Sequence, residues 1–274
     1  MRSCARPEAS LLRVNNVCKV FQSARGSYFA LEGVFLTIED GEFVCLLGPS
    51  GCGKSTLLNI LAGFEPASSG TVTFGDTPIR CADRERVMLF QDAGSALLPW
   101  LSTEENVRFG LRVRKTPTAD WPAIIDKYLR MVSLDSHRAK FPAELSGGMR
   151  QRLQIARALA VEPKVLLMDE PFAALDALTR RHMHKVLLDI WQRTGKTIVF
   201  VTHDIAEAIS LADRIAVMST GPRSTISKLI NIELSRPRDM TNPEVAQLFN
   251  EIEALLAPDV LSPSERLEVH EVVS

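Results

Sequence analysis

The sequence predicts an α/β fold: a P-loop core with a mostly parallel sheet, a small antiparallel β layer, and a helical subdomain inserted into the core. Three observations carry that expectation. Residues 48–56, Gly-Pro-Ser-Gly-Cys-Gly-Lys-Ser-Thr, fit the phosphate-loop template G-x-x-x-x-G-K-[ST] and lie between a β-type run at 42–47 and a helical run at 57–62. Strand-like and helical runs then alternate from 165 to 218, the order that builds a parallel sheet with helices on both faces. Between these two regions, residues 92–162 lose their strand signals and read as helices.

Taken in order, residues 11–21 and 31–38 read as strands separated by the polar stretch 22–27, which places an antiparallel layer ahead of the parallel core. Phe21 closes the first strand, where an aromatic is ordinarily a core or edge residue. The loop follows. Glycines let its backbone wrap closely around phosphates, so that N–H groups and the helix start face the anion. Gly48, Pro49, Ser50, Gly51, Cys52, Gly53, Lys54, Ser55 and Thr56 are therefore a candidate nucleoside triphosphate site. Lys54 would reach the β- and γ-phosphates, and Ser55 would offer its hydroxyl to Mg²⁺. Gly63 stops the helix.

Short β-type runs at 70–74 and 86–90 come next, the second ending at Gln91. Helical patterns occupy 103–113, 123–132 and 148–160, with Ser102 and Ser146 as start signals for the first and third. The run 165–170 is a buried strand ending in Asp169 and Glu170, 115 positions after Lys54. Magnesium-dependent nucleotide chemistry needs one carboxylate for the metal and one to polarise water, so Asp169 is assigned to the metal and Glu170 to the general base. A helix at 178–193, a strand at 197–201, a helix at 205–212 and a strand at 214–218 complete the alternation. In such sheets ligands sit beyond the carboxyl ends of the strands, where the loop, the acidic pair and His203 all fall. His203 is thereby a candidate contact for the γ-phosphate. His182 and His184, two apart on a helix, point to different sides and cannot share a metal; with Arg180, Arg181 and Lys185 they read as a solvated face. The stretch after 225 gives no assignment until a final helix at 242–256, and 258–274 carries no signal.

Composition limits the partners. Thirty-two basic residues balance 33 acidic ones, so no nucleic-acid surface is expected. Cys4, Cys18, Cys45, Cys52 and Cys81 contain no C-x-x-C pairing and read as thiols in a reducing compartment. The N-terminus has no apolar run after its basic residues, and no window approaches the roughly 18 apolar residues of a membrane span. These features predict a soluble, cytoplasmic chain.

Leu145-Ser146-Gly147-Gly148-Met149-Arg150-Gln151-Arg152 resembles the signature motif of ATP-binding-cassette (ABC) ATPases, and it lies between the loop and the acidic strand as in that family. Gln91 resembles the Q-loop glutamine, Ala174-Leu175-Asp176 the D-loop, His203 the switch histidine, and Phe21 the aromatic that stacks on adenine. Met149 departs from the glutamine commonest there. The likeness runs from about 12 to 219. It implies an ABC ATPase domain over 11–235, with its helical subdomain at about 92–162, and a C-terminal helix and tail at 236–274. It further implies ATP and Mg²⁺ as cofactors, Gln91 as a metal ligand beside Ser55 and Asp169, and catalysis by Glu170, His203 and Gln91. In such a family Ser146, Gly147, Gly148, Met149 and Asp176 meet the nucleotide of a second subunit, so two ATP molecules are clamped between head-to-tail chains.

A finer likeness joins Gln91-Asp92, Leu97-Leu98-Pro99-Trp100, Asp176-Ala177-Leu178-Thr179-Arg180 and Thr202-His203-Asp204-Ile205 to the nitrate/sulfonate/taurine importer ATPases. It implies a homodimer working with an integral membrane permease and a solute-binding protein, peripheral on the inner face of the cell membrane. The small residues Gly94, Ser95 and Ala96 read as a hinge, and Trp100 as either a permease contact or a helix-entry anchor. Soluble ABC proteins of repair or translation carry coiled coils or two cassettes, for which this chain has no room. A guanine-specific enzyme would need Asn-Lys-x-Asp, which does not occur.

Overall fold

A computed structural model describes residues 10–23, 26–239 and 241–256; Cys4 and the tail 258–274 lie outside them. The first two strands, β1 (Ser10–Ser23) and β2 (Gly26–Glu39), pair antiparallel and run longer than the apolar pattern indicated. Leu12, Val14 and Val17 face Val34, Leu36 and Ile38 in the core, which the alternation registers. Their polar ends are carried by ladder hydrogen bonds and by Ser27 Oγ donating to Gln22 Oε1 at 2.9 Å, neither of which needs apolar residues. β4 (Ser69–Phe74) and β5 (Thr77–Pro78) complete this sheet in the order β2-β1-β4-β5.

The second sheet contains β3 (Phe43–Leu47), β6 (Arg86–Leu89), β7 (Val165–Asp169), β8 (Thr197–Thr202), β9 (Arg214–Met218) and β10 (Ile226–Asn231), in the order β10-β9-β3-β8-β7-β6. Its neighbours are parallel except β9 and β10. β3 is buried on both faces: Phe43, Cys45 and Leu47 join one apolar cluster, Val44 and Leu46 the other. The second cluster packs under α1 (Lys54–Ala62) and the antiparallel layer; the first packs under the remaining helices. β10 has no sequence signature because only Ile230 of its six residues is buried, leaving no alternation to read.

Between β6 and β7 the chain forms α2 (Ala93–Ala96), α3 (Thr103–Arg114), α4 (Trp121–Met131) and α5 (Gly147–Ala160), the expected helical insertion. α3 starts on a capping box, Ser102 Oγ accepting from Glu105 N while the Glu105 carboxylate accepts from Ser102 N. The Gly94–Ala96 stretch is not an open hinge. Asp92 caps it as a short helix, its Oδ1 accepting Gly94 N–H at 2.8 Å. α6 (Ala177–Thr194), α7 (Ile205–Leu211) and α8 (Pro243–Leu256) complete the chain.

Candidate functional site

Parallel pairing of β3 with β8 and of β8 with β7 aligns Leu47 with Thr202 and Val201 with Asp169, so three strands end side by side. The phosphate loop, the acidic pair and His203 leave from those ends. The loop closes on itself through Lys54, whose Nζ donates to Gly48 O at 2.7 Å and Pro49 O at 2.8 Å. Gly53 sits at φ +87°, and a Cβ there would stand 2.7 Å from Leu31 Cδ2. Both the turn and the close approach exclude a side chain. No side chain caps α1, so its first N–H groups remain available to an anion.

Asp169 Oδ1 accepts a hydrogen bond from Ser55 Oγ at 2.9 Å. Burial pushes the Asp169 carboxyl up, reinforced by Glu170 and opposed by the Ser55 hydroxyl and the Lys54 charge. Glu170 reaches two groups. Its Oε1 lies 3.9 Å from Lys54 Nζ, and its Oε2 lies 3.0 Å from His203 Nδ1. Its backbone is left-handed at φ +41°, pinned by its N–H donating to Val201 O at 3.1 Å. That conformation costs on the order of 1–3 kcal/mol and aims the side chain back across the strand ends.

These groups share an open cleft of about 450 Å³, lined by residues 50, 51 and 53–56 with Gln91, Asp169 and Glu170. Tyr28 and Ala30 of β2 close one side. Gly48, Pro49 and Cys52 lie outside the lining; Cys52 is buried beneath the loop, where desolvation raises its thiol pKa against the nearby Lys54 charge. Phe21 also lies outside the lining, directly across the ladder from Tyr28, with Lys19 Nζ 4.9 Å from its ring centre. His203 faces Glu170 in an adjoining small pocket with Thr202, Asp204 and Glu207.

Ser146, Gly148 and Met149 are elsewhere, in a second cleft of about 380 Å³ with Leu178, Thr179 and His182. The two clefts share no residue. Ser146 Oγ accepts from Met149 N at 3.3 Å and so opens α5. A Cβ on Gly148 would meet Thr179 Cγ2 at 2.7 Å, and one on Gly147 would touch Leu175. Asp176 caps α6, accepting from Leu178 N at 3.1 Å and Thr179 N at 3.0 Å; its carboxyl pKa is lowered by the Thr179 side chain and backbone, then by Leu178 N–H.

The donors in the first cleft, a hydroxyl, a carboxylate and a side-chain amide, are the hard oxygen ligands Mg²⁺ takes alongside phosphate and water. Ser55, Asp169 and Gln91 therefore fit that ion.

Residues 31–173 match the ABC transporter family model. The chain is 40% identical over 255 residues to the nitrate import ATP-binding protein of Synechococcus elongatus, covering 91% of this chain and 92% of that one. This chain belongs to the ABC transporter family. It is 45% identical over 248 residues to the bicarbonate transport ATP-binding protein of a Synechocystis strain, covering 88% and 87%. Among solved structures it resembles a component of an ABC transporter complex from Clostridium perfringens, with TM-score 0.74, 30% identity and coverage of 82% and 90%. It also resembles an ATP-binding cassette captured as a dimer after hydrolysis with ADP and phosphate, with TM-score 0.70, 30% identity and coverage of 82% and 100%. The chain is an ABC ATPase, binding and hydrolysing ATP. No helix among the described residues is long and apolar enough to cross a membrane.

Several groups around this ABC site carry no motif. α5 holds the segment after β6 by a row of side chains: Gln154 Nε2 donates to Phe90 O at 3.2 Å, Gln151 Nε2 to Gln91 O at 3.3 Å and to Pro171 O, and Arg157 Nη2 to Ala96 O at 2.5 Å. Their spacing, three residues apart along one face of the helix, was the available signal. Tyr28 had none, since register alone places it on the cleft. Phe64 and Phe90 stack at 6.2 Å while each stays about half exposed. His184 is corrected: it is not solvated but packed against Phe172, its Nε2 2.7 Å from Glu207 Oε1. Arg181, His182 and Lys185 do face solvent.

Proposed function

We propose that this chain is the energy-coupling ATPase of an importer for a small solute of the nitrate, bicarbonate, sulfonate or taurine kind. One observation carries the assembly: the P-loop cleft and the Ser146–Gly148 cleft are separate, and each is open on one side. A second copy turned head to tail closes both, with Ser146, Gly147, Gly148 and Met149 facing the partner's nucleotide and Asp176 at the seam. Mg²⁺, held by Ser55, Asp169 and Gln91, would neutralise phosphate charge. Glu170 polarises the attacking water, His203 holds Glu170 and meets the γ-phosphate, and Gln91 senses occupancy of the site.

Residues 11–235 act as the cassette, with about 92–162 as its helical unit, and 236–274 are assigned to a C-terminal helix and tail. The exposed Phe90 and Trp100 flank the Gln91 segment in sequence, Phe64 stacks on Phe90, and the three offer apolar surface to a membrane permease on the inner face of the membrane. A solute-binding protein would deliver the solute from the other side. The test is reconstitution in vesicles with the permease and binding protein that co-purify with this chain. ATP hydrolysis stimulated by nitrate, bicarbonate or taurine supports the reading; hydrolysis indifferent to every solute, with no co-purifying membrane protein, overturns it.

A further inference from the structure

The turn that carries His203 is tied to α6 by groups with no assigned role. Two carboxylates in that turn each serve twice. Asp204 Oδ1 accepts Glu207 N–H at 3.0 Å, closing the N-terminus of α7, while its Oδ2 lies 3.6 Å from Arg180 Nη1. Glu207 Oε2 accepts Thr202 Oγ1–H at 2.5 Å, while its Oε1 lies 2.7 Å from His184 Nε2. Thr202 Oγ1 accepts Asp204 N–H at 3.0 Å, so residues 202–207 form a closed ring of hydrogen bonds around His203.

Arg180 and His184 are one helical turn apart on α6, so a single face of one rigid rod grips both carboxylates. The same Arg180 also donates through Nη2 to Leu175 O at 3.0 Å and Ala173 O at 3.5 Å, in the segment that leads from Glu170 to the Asp176 cap. α6 thus holds the chain after Glu170 and the chain after His203 at once. Thr202 and Glu207 are buried, at 2% and 7% exposure, where a carboxylate persists only when fully partnered. His203 itself is half exposed and makes its contact with Glu170 from the tip of the ring. Of residues 202–207, His203 is the one that hydrogen-bonds Glu170.

We infer that Glu207, with His184 and Arg180, is a positioning residue for hydrolysis: it fixes the His203 turn to α6 and so sets the His203–Glu170 contact. Displacement of α6 at its Asp176 end would then move the turn with it. This rests on the proposed roles of Glu170 and His203. Loss of Glu207 frees the ring without touching the phosphate loop.

The test compares Glu207→Ala, Glu207→Gln, His203→Ala and the Glu207→Ala/His203→Ala pair, in the full chain, by phosphate release per mole of ATP-binding protein and by ATP affinity. Glu207→Ala should lower kcat about tenfold with KM and ATP affinity within about twofold. Glu207→Gln, which keeps hydrogen bonds to Thr202 and His184, should restore most of that rate. In the His203→Ala background, Glu207→Ala should cost no more than about a further twofold, the signature of one residue acting through another. A kcat for Glu207→Ala within twofold of normal, no rescue by glutamine, or multiplying losses in the pair would overturn the positioning role. A His203→Ala protein that hydrolyses ATP normally would instead bring down the His203 assignment and this inference with it.

Discussion

Glu170 combines a left-handed backbone with contacts to a lysine and a histidine, and that combination is informative because strain persists only where the surroundings impose it. Glu170→Gln keeps the shape and the neighbours but removes the base. Turnover should fall by about 10²–10⁴-fold, the usual contribution of a general base, while ATP affinity measured with a fluorescent nucleotide stays within a few fold. Near-normal phosphate release would remove Glu170 from that role. Phe21 is tested separately. It is 38% exposed beside the cleft wall, so it has a free face for a base. Phe21→Ala should weaken ATP by about 1–2 kcal/mol, the scale of aromatic–base stacking, and leave tripolyphosphate binding unchanged. Equal loss for both ligands would mean that the ring only supports the fold.

α5 is the element that joins the two clefts. Its first turn carries Ser146–Gly148, and its middle grips the carbonyls of Phe90, Gln91 and Ala96. It packs closely on α3 at Gly110, where an added Cβ would stand 2.6 Å from Arg157 O and 3.0 Å from Ala160 Cβ. Gly110→Ala should therefore destabilise the protein by about 1–3 kcal/mol through overpacking, read as a lower melting temperature. An unchanged melting temperature would show that the two helices separate freely. The segment after Gln91 behaves differently. Trp100 is 70% exposed, while Asn106, fully buried, holds its loop through Leu98 N at 3.0 Å and Leu101 O at 2.9 Å. Trp100 is no core anchor. Trp100→Ala should shift the melting temperature of the isolated chain by less than about 2 °C, as for a surface change, yet impair assembly with the permease. Strong destabilisation combined with normal assembly would contradict this.

For the molecule as a whole, two half-sites on separate clefts predict a nucleotide-driven change of oligomeric state. In the Glu170→Gln protein, ATP with Mg²⁺ should double the mass seen by light scattering after gel filtration, and removing Mg²⁺ with EDTA should return it to the monomer. A mass independent of nucleotide would leave the Ser146 cleft without its proposed partner. α5 holds the Gln91 segment at the end of β6 and Pro171 just after Glu170, so it ties the inserted helices to the sheet beside the nucleotide cleft.

Much of this was determined by local sequence. The order of strands and helices, the phosphate loop, the Asp169-Glu170 strand end and the helix starts at Ser102 and Ser146 follow from periodicity, glycine placement and capping, which act over a few residues. The tertiary structure alone decided what depends on register and long-range approach. Tyr28 reaches the cleft through its place in the β1–β2 ladder, and β10 pairs through backbone bonds without an apolar pattern. His184, read as solvated from its charged neighbours Arg181 and Lys185, is largely shielded because Glu207 arrives 23 positions later in sequence to meet it. A helix sequence records which faces are apolar. It does not record which distant carboxylate will partner a polar residue on one of them, because that pairing forms only when α6 and α7 pack together.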